Sequence, residues 1–103
     1  MITRDDVIDE WIYCNYDSDN ESSITTRDIS EELMPKIIDD ANKFFENPVL
    51  IDDEKEAYYK ATEKDKKIIS ILKAFIMNLP TDEKDFDLIV DSAYYNIDII
   101  LRI

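Results

Sequence analysis

The most apolar stretch of the chain covers residues 66–79. Its large apolar side chains recur at helical spacing, at Ile68, Leu72, Phe75, Ile76 and Leu79. Ile69, Ile71 and Met77 widen this stripe until little of the circumference is polar. A helix of this kind must be covered on most sides. The pattern therefore predicts a central helix with the rest of the chain packed around it.

A narrower helical stripe precedes residue 16. Thr3 is placed to cap its start, because Asp6 follows three residues later, and we expect the helix to end near Asn15 or Tyr16. Residues 17–23 hold no apolar side chain, which indicates a loop.

A second stripe runs from about Thr25 to Phe45 with Pro35 inside it. Either one helix kinks at Pro35, or one helix stops at Met34 and another begins with Pro35 in its first turn. We favour the kink because the stripe keeps its phase across the proline. Residues 47–48, Asn-Pro, end this element, and the apolar residues 49–51 are expected to form a connection that crosses back and packs on the core.

A third stripe begins at Asp52 or Asp53, either of which is expected to cap it. Residues 53–79 form one helix, or two if Thr62 and Asp65 form a second cap, and the pattern leaves both open. Pro80 ends this region, and Thr81 is expected to cap a last helix. Its predicted core face consists of Phe86, Ile89, Val90, Ala93, Tyr94, Ile97, Ile100 and Leu101. The pattern therefore predicts that residues 1–103 form one all-α domain, a bundle of four to five helices without a sheet.

Charge adds a second constraint, because 25 acidic residues against 12 basic ones give a net charge of −13. Most of the excess lies in residues 1–54, whereas residues 60–80 are net basic. A cationic partner would be attracted to such a surface, and nucleic acid or an anionic membrane would be repelled.

Several chemistries are excluded by composition. The chain has no glycine for a phosphate-binding loop and no histidine for a nucleophile pair or an imidazole metal site. The single Cys14 forms no internal disulfide, which fits a reducing cytoplasm, and the charged start at Arg4 does not resemble a signal peptide. We expect a cytoplasmic protein that is not an enzyme, carries no cofactor and does not enter a membrane.

The loop acids Asp17, Asp19 and Glu21, with Asp28 at the twelfth position, resemble an EF-hand calcium loop. Ser22 replaces the turn glycine, and Asp28 is shorter than the usual bidentate glutamate. We interpret the segment as a solvated acidic linker that binds no metal.

Adjacent tyrosines occur at 58–59 and 94–95. Neighbours on a helix point about 100° apart, so one member of each pair leaves the core face. We expect Tyr58 and Tyr94 to face the core, and Tyr59 and Tyr95 to face outward. Ordinary boundary packing would explain this pattern, but an exposed tyrosine beside carboxylates is also a good interface anchor.

The segment Glu56-Ala57-Tyr58-Tyr59, an acid followed by a tyrosine pair in a small acidic helical chain, resembles bacterial toxin-immunity proteins of the nuclease-colicin and contact-dependent growth-inhibition types. The resemblance implies a cytoplasmic inhibitor that covers a cationic toxin domain, with Tyr58 and Tyr59 as contacts.

The leading hypothesis is therefore an immunity protein or antitoxin that binds a basic nuclease toxin, an RNase or a DNase. The alternative is a phage-type nucleic-acid mimic that inhibits a restriction or CRISPR enzyme. Trp11 would be a further anchor if partly exposed. The expected partner-binding residues are Asp9, Tyr13, Asp17, Asp19, Glu21, Asp39, Asp40, Asp52, Asp53, Glu54, Tyr58 and Tyr59. The oligomeric state is left open.

Overall fold

A computed structural model describes the backbone of residues 1–14, 16–17, 22–23, 29–79 and 86–101, and the side chains of residues 1–11, 29–79 and 87–101. Within those ranges the chain forms five helices. They are α1 (Arg4–Cys14), α2 (Met34–Glu46), α3 (Asp52–Lys60), α4 (Glu63–Asn78) and α5 (Phe86–Leu101). The prediction of an all-α bundle is confirmed.

Helix α4 is the centre of the bundle, as its apolar pattern predicts, and it contacts α1, α2 and α5. Ile69, Leu72 and Phe75 are fully buried on it. Met77, which widens the stripe in the sequence, is instead exposed. Trp11 of α1 is buried and packs edge-on against Phe75, with 5.5 Å between the ring centroids. The partial exposure that Trp11 would need in order to act as an anchor is therefore absent.

The predicted cap of α1 is present. The Thr3 backbone N–H donates to Asp6 Oδ2 at 3.0 Å, and the Asp6 N–H donates to Thr3 Oγ1 at 3.3 Å. Beyond α1, the described backbone contains one extended pairing, a two-residue antiparallel ladder between β1 (Tyr16–Asp17) and β2 (Ser22–Ser23). The sequence does not predict this ladder, because neither segment has the alternating apolar pattern of a strand.

Helix α2 begins at Met34, so the predicted kink at Pro35 is wrong. Pro35 lies in the first helical turn, where its missing N–H needs no partner. Residues 31–33 form a turn in which the Leu33 N–H bonds to the Ser30 carbonyl at 3.1 Å. Ile29 is buried and Leu33 packs on the core, although residues 29–33 are not helical. A turn can thus bury the same residues as a helix would.

The connection at 49–51 is only partly buried, which corrects the expectation that it packs on the core. Leu50 packs there, whereas Val49 and Ile51 are exposed. Ile51 is the N-cap of α3 and makes no side-chain cap bond, so the caps predicted at Asp52 and Asp53 are wrong. Both acids lie in the first turn instead, where their negative charge interacts favourably with the positive end of the helix dipole.

The sequence leaves open whether residues 53–79 form one helix or two, and the structure shows two, α3 and α4. Thr62 is the N-cap of α4, and its Oγ1 accepts a hydrogen bond from the Asp65 N–H at 3.1 Å. The helix ends with Leu79 as its C-cap. The expected stop at Pro80 and cap at Thr81 lie outside the described residues.

Candidate functional site: a tyrosine-bearing acidic surface

The tyrosine pair of α3 divides between core and solvent as predicted. Tyr58 is 2% exposed and Tyr59 is 62% exposed. The two rings meet edge to face, with centroids 5.6 Å apart and an angle of 83° between their planes. Tyr59 is therefore an exposed aromatic ring that rests on a buried one.

Tyr58 is held from two other helices. The Phe44 ring of α2 lies edge-on to it, with 5.9 Å between centroids, and Lys66 Nζ of α4 lies 5.8 Å from its ring centroid. A partner protein cannot reach Tyr58, because almost none of its surface is exposed. Its expected role as a partner contact is wrong, and it positions Tyr59 instead.

The Tyr58 hydroxyl is buried and meets no partner at hydrogen-bond geometry among the described residues. Burial raises the pKa of Tyr58, while the nearby Ser70 hydroxyl acts in the opposite direction. Ser70 Oγ already donates its proton to the Lys66 carbonyl at 2.7 Å. The contact between Tyr58 and Tyr59 therefore depends on the rings, and the buried hydroxyl does not stabilise it.

The acids of α3 differ in what they can offer a partner. Glu54 is mostly buried, and its carboxylate lies 3.6 Å from Lys73 Nζ of α4. Glu54 is therefore an internal link between helices, and its expected role as a partner contact is wrong. Asp52 is fully exposed and lies 3.6 Å from Lys55, and Asp53 is exposed without an ion pair among the described side chains.

The two acids of α2 line different clefts. Asp39 pairs with Lys43 at 2.9 Å and lines a cleft with Met1 and Pro35. Asp40 is half-buried, accepts a hydrogen bond from Asn78 Nδ2 at 2.8 Å and lines a cleft with exposed Met77. A further cleft, of about 610 Å³, contains Asp53. The expected acids are therefore spread over several surfaces of the described fold.

On α1, Asp9 is exposed and adjoins half-buried Glu10. Burial raises the pKa of Glu10, the charges of Asp9 and Asp6 add to this rise, and Lys64 of α4 opposes it. The acids of this helix thus lie close enough to repel one another. The side chains of Tyr13, Asp17, Asp19 and Glu21, with the proposed acidic loop, lie outside the described residues.

Internal ion pairs neutralise only part of the charge. Among the described side chains they are Arg4–Glu31, Lys43–Asp39, Lys55–Asp52, Lys60–Glu56 and Lys73–Glu54. The described carboxylates outside these pairs are Asp5, Asp6, Asp9, Glu10, Glu32, Asp40, Glu46, Asp53, Glu63, Asp65, Asp87, Asp91 and Asp98. The described lysines outside them are Lys36, Lys64, Lys66 and Lys67. The surface therefore remains strongly negative.

Sequence reasoning missed a second exposed apolar surface, on α5. Tyr94 was expected to face the core but is exposed, as are Leu88 and Ile99. Tyr95 faces outward as predicted. The signal was present in the sequence, because α5 carries large apolar residues around more of its circumference than one core face needs.

Neither a metal centre nor a membrane span is found in the part of the chain that the structure describes. No group of three acidic or cysteine side chains there is arranged to hold a metal ion. No described helix combines the length and apolar character needed to cross a membrane. Comparisons with protein-family models, with curated proteins and with solved structures find no match.

Proposed function

We propose that this protein is an immunity protein or antitoxin that binds a cationic nuclease toxin domain and blocks its active site. The observation that supports this most is the exposed Tyr59 ring, which packs against buried Tyr58 on a helix whose first turn carries exposed Asp52 and Asp53. Aromatic anchors that lose little conformational freedom on binding are typical of interface hot spots. A nuclease cleft is positive because it binds phosphate, and carboxylates would oppose that charge.

The two features would act on different steps of binding. The net charge of −13 would steer encounter, and association could approach about 10⁸ to 10⁹ M⁻¹s⁻¹ at low salt. Tyr59 would act after encounter by burying its ring, and truncation of such an anchor typically costs about 2 kcal/mol or more of binding free energy. Charge would therefore set the association rate, and the aromatic anchor would set the dissociation rate.

The ion pairs of α3 favour one cognate partner over general nucleic-acid mimicry. A mimic needs carboxylates in a row that copies phosphate spacing, about one charge per 1.7 Å of duplex axis. On α3 the row is interrupted, because Lys55 pairs with Asp52 at 3.6 Å and Lys60 pairs with Glu56 at 2.8 Å. A single partner can match such a mixed surface, whereas unrelated DNA-binding proteins share no pattern that would.

The test is to search the genes adjacent to this one for a basic domain, to coexpress this chain with that domain, and to measure growth and the dissociation constant. Tyr59→Ala should weaken binding at least tenfold and reduce protection. Asp52→Asn with Asp53→Asn should slow association. The matched control, Glu32→Gln with Glu46→Gln, removes the same charge from exposed sites on other segments and should keep full protection.

The proposal fails if the adjacent genes encode no basic domain, or if the basic domain found there neither binds this chain nor is neutralised by it. It also fails in its placement if Tyr59→Ala and the control bind equally well. Competition by the chain against several unrelated DNA-binding proteins would instead support the mimic.

A further inference from the structure

Helix α5 is apolar on two opposite faces. Its inner face carries Ile89, Ala93 and Ile97, all buried in the core. Its outer face carries Leu88, Tyr95 and Ile99, which are 56%, 66% and 53% exposed. The core therefore accounts for only some of the apolar residues on this helix.

The three exposed residues form one row. Tyr95 and Ile99 follow Leu88 by about two and about three helical turns, so the side chains lie above one another along about 16 Å of the helix. Single exposed apolar residues are ordinary on protein surfaces, but an aligned group of large ones marks an interaction surface. We call Leu88, Tyr95 and Ile99 the outer row.

Acids border the outer row on one edge. Asp87 and Asp98 each precede a row residue by one position, which places both about 100° to the same side of it. Asp91 follows Asp87 by four positions and so lies on that same edge. All three are exposed, none has an ion pair among the described side chains, and no lysine or arginine occurs within Phe86–Leu101.

We propose that the outer row is a second docking surface, which binds an amphipathic helix of another protein carrying lysine or arginine along one edge of its apolar row. Charge complementarity selects this occupant. A second copy of this chain carries the same net charge of −13, and packed antiparallel on this row it would place its acidic edge against the same acidic edge, which is unfavourable at an interface. The proposal extends the proposed function to another surface and does not require that function to be correct.

The outer row and Tyr59 lie on helices that contact each other, α5 and α3. The cleft between them is lined by Asp53, Glu56, Ile100 and Leu101, among others. Ile100 and Leu101 lie more than about 100° around α5 from Leu88, so the cleft opens on a different side of this helix from the outer row. The outer row and the Tyr59 surface are therefore separate.

The test uses three synthetic 18-residue peptides and the full chain. The first peptide has leucines at helical spacing with lysines along one edge, the second has glutamates in place of those lysines, and the third has the composition of the first in scrambled order. Fluorescence anisotropy at about 0.15 M salt measures binding, at an ionic strength where exposed charges more than about 8 Å apart are screened. Sedimentation velocity of the chain alone measures self-association.

The first peptide should bind and the other two should bind at least tenfold more weakly. Leu88→Gln, Tyr95→Gln and Ile99→Gln combined should weaken binding of the first peptide at least tenfold. Tyr59→Ala, a matched loss of an exposed tyrosine on α3, should leave it unchanged. Circular dichroism should show the same helix content in every variant, and Leu88→Ala with Ile99→Ala, two changes that favour a helix, provides a second variant.

Three outcomes overturn the proposal. The outer-row variants could bind the first peptide as tightly as the original chain. The scrambled peptide could bind as tightly as the ordered one, which would reduce the interaction to net charge. The chain could also form a dimer that the outer-row variants abolish, which would assign this surface to a second copy.

Discussion

The hydroxyl of Tyr58 offers a sharp test of how the α3 surface is held. It is buried without a hydrogen-bond partner in the described structure, whereas the ring packs against Phe44 and Tyr59. A buried polar group without a partner costs about 1–3 kcal/mol. Tyr58→Phe keeps the ring and removes that cost, so we expect the free energy of unfolding to rise by about 1 kcal/mol. For a domain of this size, such a rise corresponds to about 4–8 °C in Tm.

The measurement is urea and thermal unfolding of Tyr58→Phe beside Tyr59→Phe, which removes an exposed hydroxyl and should stay within about 0.5 kcal/mol of the original. The pH dependence gives a second readout. Because burial raises the pKa of Tyr58 above its ordinary 10.0, the unfolded chain ionises first and the folded state loses stability as pH rises past that value. The difference in free energy of unfolding between Tyr58→Phe and the original chain should therefore increase above that pH. A loss of about 1 kcal/mol in Tyr58→Phe at pH 7 would show instead that the hydroxyl has a partner.

Three further predictions concern the bundle. Phe75→Ala should lower the free energy of unfolding by about 3–5 kcal/mol, because its ring is fully buried, whereas Met77→Ala on the same helix should change it by less than about 0.5 kcal/mol in urea titrations. Thr62→Ala should cost about 1 kcal/mol by removing the α4 cap, and Thr62→Ser, measured in the same way, should retain most of it. Glu10→Gln should raise Tm at pH 7. Burial raises the pKa of Glu10, so the folded protein is destabilised by ionisation of Glu10 as pH rises through the folded pKa, and this cost is absent at acidic pH. The advantage of Glu10→Gln over the original chain should therefore disappear at about pH 3.

Local signals predicted the parts of the fold that local physics controls. The Thr3 cap follows from two residues three positions apart, and the central place of α4 follows from its nearly continuous apolar surface. The kink at Pro35 was wrong because an apolar pattern records which residues are buried and not the backbone that buries them. Ile29, for example, is buried although it lies in a segment, residues 29–33, that is not helical.

The candidate site was predictable only in part, because it depends on how α3 is rotated against its neighbours. The adjacency of Tyr58 and Tyr59 was enough to predict that one faces outward. The burial of Glu54 was not predictable, because it requires Lys73 of α4 to lie opposite, a contact between residues distant in the chain. The sequence signals an apolar excess on α5, but which side of the helix is exposed becomes evident only when the core has been assigned to the other side.

The most direct test of the binding proposal is the association rate between this chain and its candidate partner, a basic domain sought in the adjacent genes, measured by stopped flow at about 20 mM and about 300 mM salt. Charge steering predicts a rate that falls at least tenfold between these conditions, because the Debye length shortens from about 20 Å to about 6 Å. Tyr59→Ala should leave the rate nearly unchanged and speed dissociation. A rate that is the same at both salt concentrations, or no association at all, would contradict the proposal.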